Sequence, residues 1–531
     1  MTADEFLAIA SDFQLGSLDT EAQHPLTLNL SSLACHNLPA AIETLKSVDL
    51  LALDRFTAAA TQLPDLASAI ALCFASGGRI FLCGCGATGR LSLSIELFCR
   101  EGLVPPALAD RVIAFMAGGD LALIRAVEKF EDHPEYGARQ LDELGFRDGD
   151  LLIASTEGGE TPWVIGATER AAEISKAAPF FLYCNPDDIL AAAAERSRRI
   201  IENPAIRKIN LAVGPMALSG STRMQSTTVL TAAIAFAFAN RDCPEAAAAA
   251  PALFREIVAS SDWSFLAAFT AHETAICQRK EFTLYEPGPF AITVLTDTTE
   301  RSPTFSLAPF ENQKDLRAPA SWCHLFTPAA PDSPSAWRRL LHRAPRPVAW
   351  PEVASTTGLP VILGYNFSAQ LPELRRRRTQ GALHHVFRIA GGPGKITFNF
   401  DHLRHTVSFK AVQGPVGRVQ ANLLLKLLLN AHSTLLMGRL GRYEDNVMTW
   451  VRPANNKLID RAIRYIRHLA VSRGHPSPSY ETACRALFAV MPGLKPGQSA
   501  VLSALNRLER IAPAASPDQL AAPHAEAPSQ A

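Results

Sequence analysis

Apolar and polar positions along the first half of this chain follow two alternating patterns. Short unbroken apolar runs occur at 80–83 (IFLC), 112–117 (VIAFMA), 150–155 (DLLIAS), 179–184 (PFFLYC) and 209–214 (INLAVG). Runs of this length, bounded by glycine and polar turns, predict strands buried on both faces. Between them lie stretches with helical spacing: about 64–77, one from near Arg90, one through LALIRAVEKFED at 121–132, one from about 162, and an almost wholly apolar one at 222–239. Strands alternating with helices predict a parallel sheet covered on both faces, with ligands held beyond the carboxyl ends of its strands. Residues 1–60 read as a helical lead-in.

A helical connector rich in Ala and Phe at about 245–280 leads into a second, less regular region. It contains FTLYEPGPFAITVLTDTTE from Phe282, then SWCHLFT, PVILGYN, HHVFRIA and TVSFKAV, and ends in an apolar helix at 421–440. The order of elements matches the first region, which points to an internal duplication with strong divergence. Residues 441–510 look helical, and the Ala/Pro/Ser-rich tail from 511 has the composition of a disordered segment. The predicted division is 1–60, 61–245, 246–440, 441–510 and 511–531.

Composition narrows the function classes. Lys plus Arg and Asp plus Glu are both 51, so the formal net charge is zero, which argues against a nucleic-acid partner. The start, MTADEFLAIASDF, lacks a basic region followed by an apolar core, and no stretch of 18 or more apolar residues is visible, so neither a signal peptide nor a membrane span is predicted. Ten scattered cysteines with no C-x-x-C pair suit a reducing, cytoplasmic setting. No His/Cys/carboxylate grouping in the sequence suggests a metal, and no cofactor is predicted.

Three polar glycine-containing turns fall at predicted strand ends. The first, GCGATG at 84–89, turns the strand at 80–83 into a helix. Gly84, Gly86 and Gly89 let backbone N–H groups approach a ligand at a helix N-terminus, a site suited to phosphate, and Thr88 adds a hydroxyl. A tight turn without a ligand is the plainer reading. The second, STEGGETPW at 155–163, offers hydroxyls from Ser155, Thr156 and Thr161. It also carries Glu157 and Glu160, which repel phosphate but accept hydrogen bonds from sugar hydroxyls, or are merely solvated. The third, LSGSTRMQ at 218–225, holds Ser219, Ser221, Thr222 and Arg223. One hydroxyl is expected to cap the following helix, and Arg223 reaches either an anion or a neighbouring side chain. Glu128 and Glu131 stand three apart on one predicted helical face, ordinarily a solvated one.

GCGATGRL, AGGD, AVEKFED, GGETPWVIGA and LSGSTRM occur in the order seen in sugar isomerase (SIS) domain proteins. More narrowly, the chain resembles the branch holding N-acetylmuramic acid 6-phosphate etherases and glucokinase regulatory proteins. The match covers about 60–240, and NNKLIDRA at 455–462 resembles a segment of both. The resemblance implies an α/β fold of two tandem SIS-type, doubly wound parallel-sheet domains with a helical C-terminal cap. It also implies a bound sugar phosphate. The etherases use two glutamates, a base on the sugar C2 proton and an acid on the departing ether oxygen. Glu131 matches the base. Phe98 stands where the acid belongs, and Glu96 faces elsewhere; TTERSPTF at 298–305 resembles the acid motif, with Glu300 as the acid. A composite site of Glu131 and Glu300 is therefore expected; the plainer reading of Glu300 is a helix-terminal charge. Ala87 and Gln225 depart from the usual Thr and Lys. The regulatory protein's C-terminal lysine has no match in 473–486, where Arg473 and His475 are the available stand-ins. Two functions stay open: a lyase or isomerase on a hexose or amino-sugar 6-phosphate, or a sugar-phosphate sensor with a sugar kinase as partner. The chain would act as a monomeric pseudo-dimer or a homo-oligomer.

Overall fold

In the computed structural model, residues 128–129, 496 and 512–531 lie outside what is described, and with them Glu128 and nearly all of the expected tail. The first sheet is built from β1 (Ile80–Gly84), β2 (Val112–Met116), β3 (Leu151–Ser155), β4 (Phe180–Tyr183) and β5 (Arg207–Asn210) in the order β2-β1-β3-β4-β5. All its pairings are parallel. Every residue of β1, β3 and β4 is buried, as the unbroken apolar runs require. β5 stops at Asn210, short of the INLAVG run. The Asn210 side chain accepts from the Ala212 N–H at 2.9 Å and donates to the Asn185 carbonyl at 3.0 Å, which turns the chain off the sheet.

One helix is not there as expected. Between 121 and 132 the described residues form two short 3₁₀ turns, Asp120–Leu123 and Phe130–Asp132. Tertiary packing overrides the periodicity: Phe130 stacks on Trp350 with ring centroids 5.6 Å apart and meets Tyr136 at 5.1 Å. The segment then runs into His133-Pro134, where the residue before proline leaves the helical region.

The second sheet contains β6 (Phe282–Glu286), β7 (Cys323–Leu325), β8 (His384–Gly392), β9 (Lys395–Phe400) and β10 (Leu403–Ser408) in the order β10-β9-β8-β6-β7. β6 pairs in parallel with β7 and β8, but β9 and β10 are added antiparallel through two tight hairpins. PVILGYN supplies no strand; Leu359–Ile362 is one helical turn with proline in its first positions.

The two halves meet through helices. α1 (Ala87–Phe98) and α2 (Gln225–Ala239) come from the first, α3 (Ala291–Phe305) and α4 (Pro415–Arg439) from the second. They enclose a cavity of about 30 Å³, room for a water or two, lined by Phe98, Thr227, Asp297, Glu300, Asn422 and Lys426 among others. The stretch Leu38–Ala75 is long and apolar enough, by length and composition, to cross a membrane. In the fold it is two helices, Leu38–Ala59 and Leu63–Ala75, with Leu45, Phe56, Leu66 and Ile70 buried in the core. Helices Asn456–Ser472, Tyr480–Val490 and Ala500–Ile511 follow the second half.

Candidate functional site

The turn after β1 is shaped by glycine in two ways. A side chain at Gly84 would meet the Thr88 backbone at 2.4 Å, so only glycine lets α1 start so close to the strand. Gly86 has φ +56° and open space where a side chain would point. The Thr88 hydroxyl is turned inward: it donates to the Cys85 carbonyl at 2.9 Å and accepts from the Cys85 N–H at 3.0 Å. Gly89 packs against Met116.

The second turn lies beside it. Ser155 donates to the Cys83 carbonyl at 3.3 Å, and Thr156 and Thr161 bond each other at 2.9 Å. The carboxylates face inward. Glu157 accepts from the Thr227 hydroxyl at 2.9 Å, and burial pushes its carboxyl up. Glu160 is buried yet held below its usual range by Lys457 at 2.5 Å and Arg196 at 3.2 Å, which outweigh the cost of burial. Glu131 accepts from Asn455 Nδ2 at 2.9 Å. Burial pushes its carboxyl up to about 7, with Glu160, Asp132 and Glu157 adding to the rise and Lys457 opposing it. Burial and the same Glu131 and Glu157 charges also drive the Cys85 thiol upward, so the glycine turn and the carboxylates border one space.

Asn455 caps the helix Asn456–Ser472 and Lys457 lies in its first turn, both within the NNKLIDRA segment. The expectation that Arg473 or His475 replaces the missing lysine fails. Arg473 is paired with Glu444 and Glu509 at the surface, whereas Lys457 enters the site one helix earlier. Spacing alone hides this, because Lys457 sits in the first turn of a helix whose docking depends on distant partners. Arg461 and Arg464 grip Glu21, and Tyr465 donates to the Ser219 carbonyl at 2.7 Å.

The third turn is largely committed to internal bonds. Ser219 donates to the Glu21 carbonyl at 2.8 Å. The expected hydroxyl cap is absent: the helix begins at Gln225 with Met224 as its cap, and the Thr222 carbonyl accepts from the Thr227 hydroxyl instead. Arg223 points into the other half, to Asp297 at 3.2 Å and Thr434 at 3.1 Å. Gln225, where lysine is usual, donates to Asp49 at 2.6 Å. Among the described residues, the buried Ser221 hydroxyl has no partner.

Glu300 and Phe98 line the same cavity, one from each half. The Glu300 carboxyl is pushed up by burial, which outweighs Arg90, Arg223 and Lys426; Glu157 adds to the rise. Arg90, on the first turn of α1, is buried with its Nη1 3.9 Å from Glu300, and its Nε lacks a partner. A buried guanidinium so thinly paired favours an added anion. No hydrogen bond or ion pair joins Glu131 to Glu300 among the described residues; Glu157 acts on both. Glu96 is engaged elsewhere, by Arg343 and Arg346, each at 2.9 Å.

Residues 65–172 match the family model described as the glucokinase regulatory protein N-terminal SIS domain. Over 170 residues the chain is 35% identical to an N-acetylmuramic acid 6-phosphate etherase of Aliivibrio fischeri, covering 32% of this chain and 51% of the relative. The first half of the chain thus carries a SIS domain. This SIS protein is also 33% identical over 215 residues to the same-named enzyme of Rhodopirellula baltica, covering 40% and 66%. It thus spans about half to two thirds of the length of these curated relatives. A solved C-terminal domain of glucosamine-fructose-6-phosphate aminotransferase from Francisella tularensis aligns with 72% of the SIS chain and 96% of that domain, at 11% identity and a TM-score of 0.33.

Proposed function

We propose that this SIS protein is a lyase of the etherase type, acting on an amino-sugar 6-phosphate in a site completed by both halves of the chain. The observation that carries this reading is the pair of carboxyls, Glu131 and Glu300, each raised by burial and each bordered by Glu157. A base with a value near 7 is partly ionised at neutral pH and still strong enough to take a carbon-bound proton. Glu131 takes the proton next to the breaking bond, the C–O bond breaks, and Glu300, whose burial favours the protonated form, gives a proton to the departing oxygen. The glycine turn and the underpaired Arg90 receive the phosphate, and Ser221 adds a free hydroxyl. The same proposal treats 61–245 and 246–440 as two SIS-type units and 441–510 as their cap. A sensor has no need of a carboxyl poised near 7, so the enzyme is preferred.

The test is ether cleavage of N-acetylmuramic acid 6-phosphate, the substrate in the relatives' name, alongside thermal stabilisation by hexose 6-phosphates. Turnover that disappears in Glu131→Gln and in Glu300→Gln, with binding retained, is the expected result. Binding without turnover returns the chain to the sensor reading, in which the sugar kinase becomes the partner to seek. Absence of any sugar-phosphate binding overturns both.

A further inference from the structure

Outside the site, at one end of the strands of the second sheet, three side chains converge. His272 stands on the helix Leu266–Gln278, His385 at the start of β8, and Asp401 in the turn between β9 and β10. Asp401 Oδ2 is 2.8 Å from His272 Nε2 and 2.7 Å from His385 Nδ1. Their ligand atoms all lie within 4.8 Å of one another, in the one such grouping of His, Cys, Asp and Glu among the described residues. We infer that this cluster is a binding site for a divalent metal that prefers imidazole, with Zn²⁺ as its natural probe.

The surroundings of His385 argue for a metal over a bare hydrogen-bonded group. Its Nδ1 faces Asp401 and its Nε2 faces Glu281 at 3.1 Å, so both ring nitrogens meet carboxylates. A neutral imidazole has one lone pair, which would point at a carboxylate. A cation on Nδ1 removes that conflict and leaves Nε2–H to donate to Glu281. A carboxylate behind a ligating histidine is the arrangement that fixes ring orientation in metal sites. Glu281 is itself held by Arg279 at 2.7 Å. Two imidazoles and one carboxylate suit tetrahedral Zn²⁺, whose bonds of about 2.0–2.2 Å set ligand atoms about 3.3–3.6 Å apart, so Asp401 would draw back from each imidazole by roughly half an ångström or a little more. The side chains are 18%, 18% and 31% exposed, open enough to load. His402, in the same turn, has its ring 5.1 Å from that of His272. The metal would clip the helix at 266–278 to the two antiparallel strands that distinguish this sheet.

The experiment is Zn²⁺ uptake by the full chain in chelator-cleared buffer, followed by calorimetry, with Co²⁺ absorption as a report on geometry. One tight equivalent, a raised melting temperature and a tetrahedral Co²⁺ spectrum are expected. His385→Ala and Asp401→Asn should each lose the tight equivalent. Glu281→Gln, which removes no ligand and leaves the chain folded by circular dichroism, should weaken binding about 10–100-fold. The chain has 14 histidines and 10 cysteines, so weak uptake elsewhere is expected and the comparison with variants decides. Equal uptake and equal Co²⁺ spectra in wild type, His385→Ala and Glu281→Gln would overturn the site.

Discussion

Taken from the strand that leads into each interhelical core, the two sheets run in the same order. β1 lies between β2 and β3, as β6 lies between β7 and β8, and all these pairings are parallel. Beyond that the halves part. In the first, β4 and β5 continue in parallel and β4 is wholly buried. In the second, β9 and β10 are hairpin strands, and β10 alternates exposed and half-buried positions along most of its length. The turns after β1 and β6 differ as much. Gly84 and Gly86 shape the first, whereas Gly288 in the second sits between Pro287 and Pro289, each of which lacks an N–H to offer a phosphate. A duplicated half can keep its sheet order and its share of the central helices while giving up its own cradle, provided it still contributes a side chain such as Glu300 to the remaining one.

The largest expected effect tests that asymmetry. Glu131→Gln should lower kcat/KM about 10²–10⁴-fold in the ether-cleavage assay. Glu286→Gln, at the end of the corresponding strand β6 and paired with Arg388 at 2.7 Å on the surface, should leave it unchanged. Equal losses would mean that the second half keeps a working cradle of its own. The pH profile sharpens the same point. With the Glu131 carboxyl near 7, activity should rise with pH through about 7. Stability from this group runs the other way. Its folded value lies above the ordinary 4.5, so its contribution is complete below about 4.5 and is lost as pH rises through about 7.

Next in size is the seam. Asp297 joins Arg223 of the first half at 3.2 Å to Arg301 of the second at 2.8 Å, all buried. Asp297→Ala leaves the Arg223 guanidinium without a carboxylate partner, although Arg301 keeps Glu273 at 3.5 Å, and should cost about 3–5 kcal/mol in denaturant unfolding. A loss under 1 kcal/mol would show that the halves do not depend on this contact. Lys457→Met comes after it, at about 1–3 kcal/mol, because Arg196 still holds Glu160. It also removes the cation that opposes the rise at Glu131, so the acid limb of the pH profile should move to higher pH.

Much of the fold could be read from the first half because burial there is written directly into composition. IFLC, DLLIAS and PFFLYC have no polar face to misassign. The second half could not be read so far: PVILGYN is as apolar as a strand but makes a helical turn, and the hairpin direction of β9 and β10 rests on two short turns, not on periodicity. At the site, glycine and hydroxyl motifs located the loops but not where side chains point. The Thr88, Ser155 and Ser219 hydroxyls donate to the Cys85, Cys83 and Glu21 carbonyls, while Arg90, Lys457 and Asn455, to which the motifs assigned no role, face the carboxylates. Those orientations depend on contacts between residues hundreds of positions apart.

The smallest prediction bears on why the outer strands could change direction. Phe181 in β4 is fully buried between layers of helices, and Phe181→Ala should cost about 3–5 kcal/mol. Thr406 in β10 faces solvent opposite Thr397, with their hydroxyls 3.1 Å apart. Thr406→Ala removes one cross-strand pair and should cost about 0.2–1 kcal/mol. A sheet with one wet face tolerates polar alternation and needs no crossover helix, so two strands can be joined by tight turns. If Thr406→Ala proved as costly as Phe181→Ala, that face would have to be covered in solution, and the freedom that let the second half diverge would not be there.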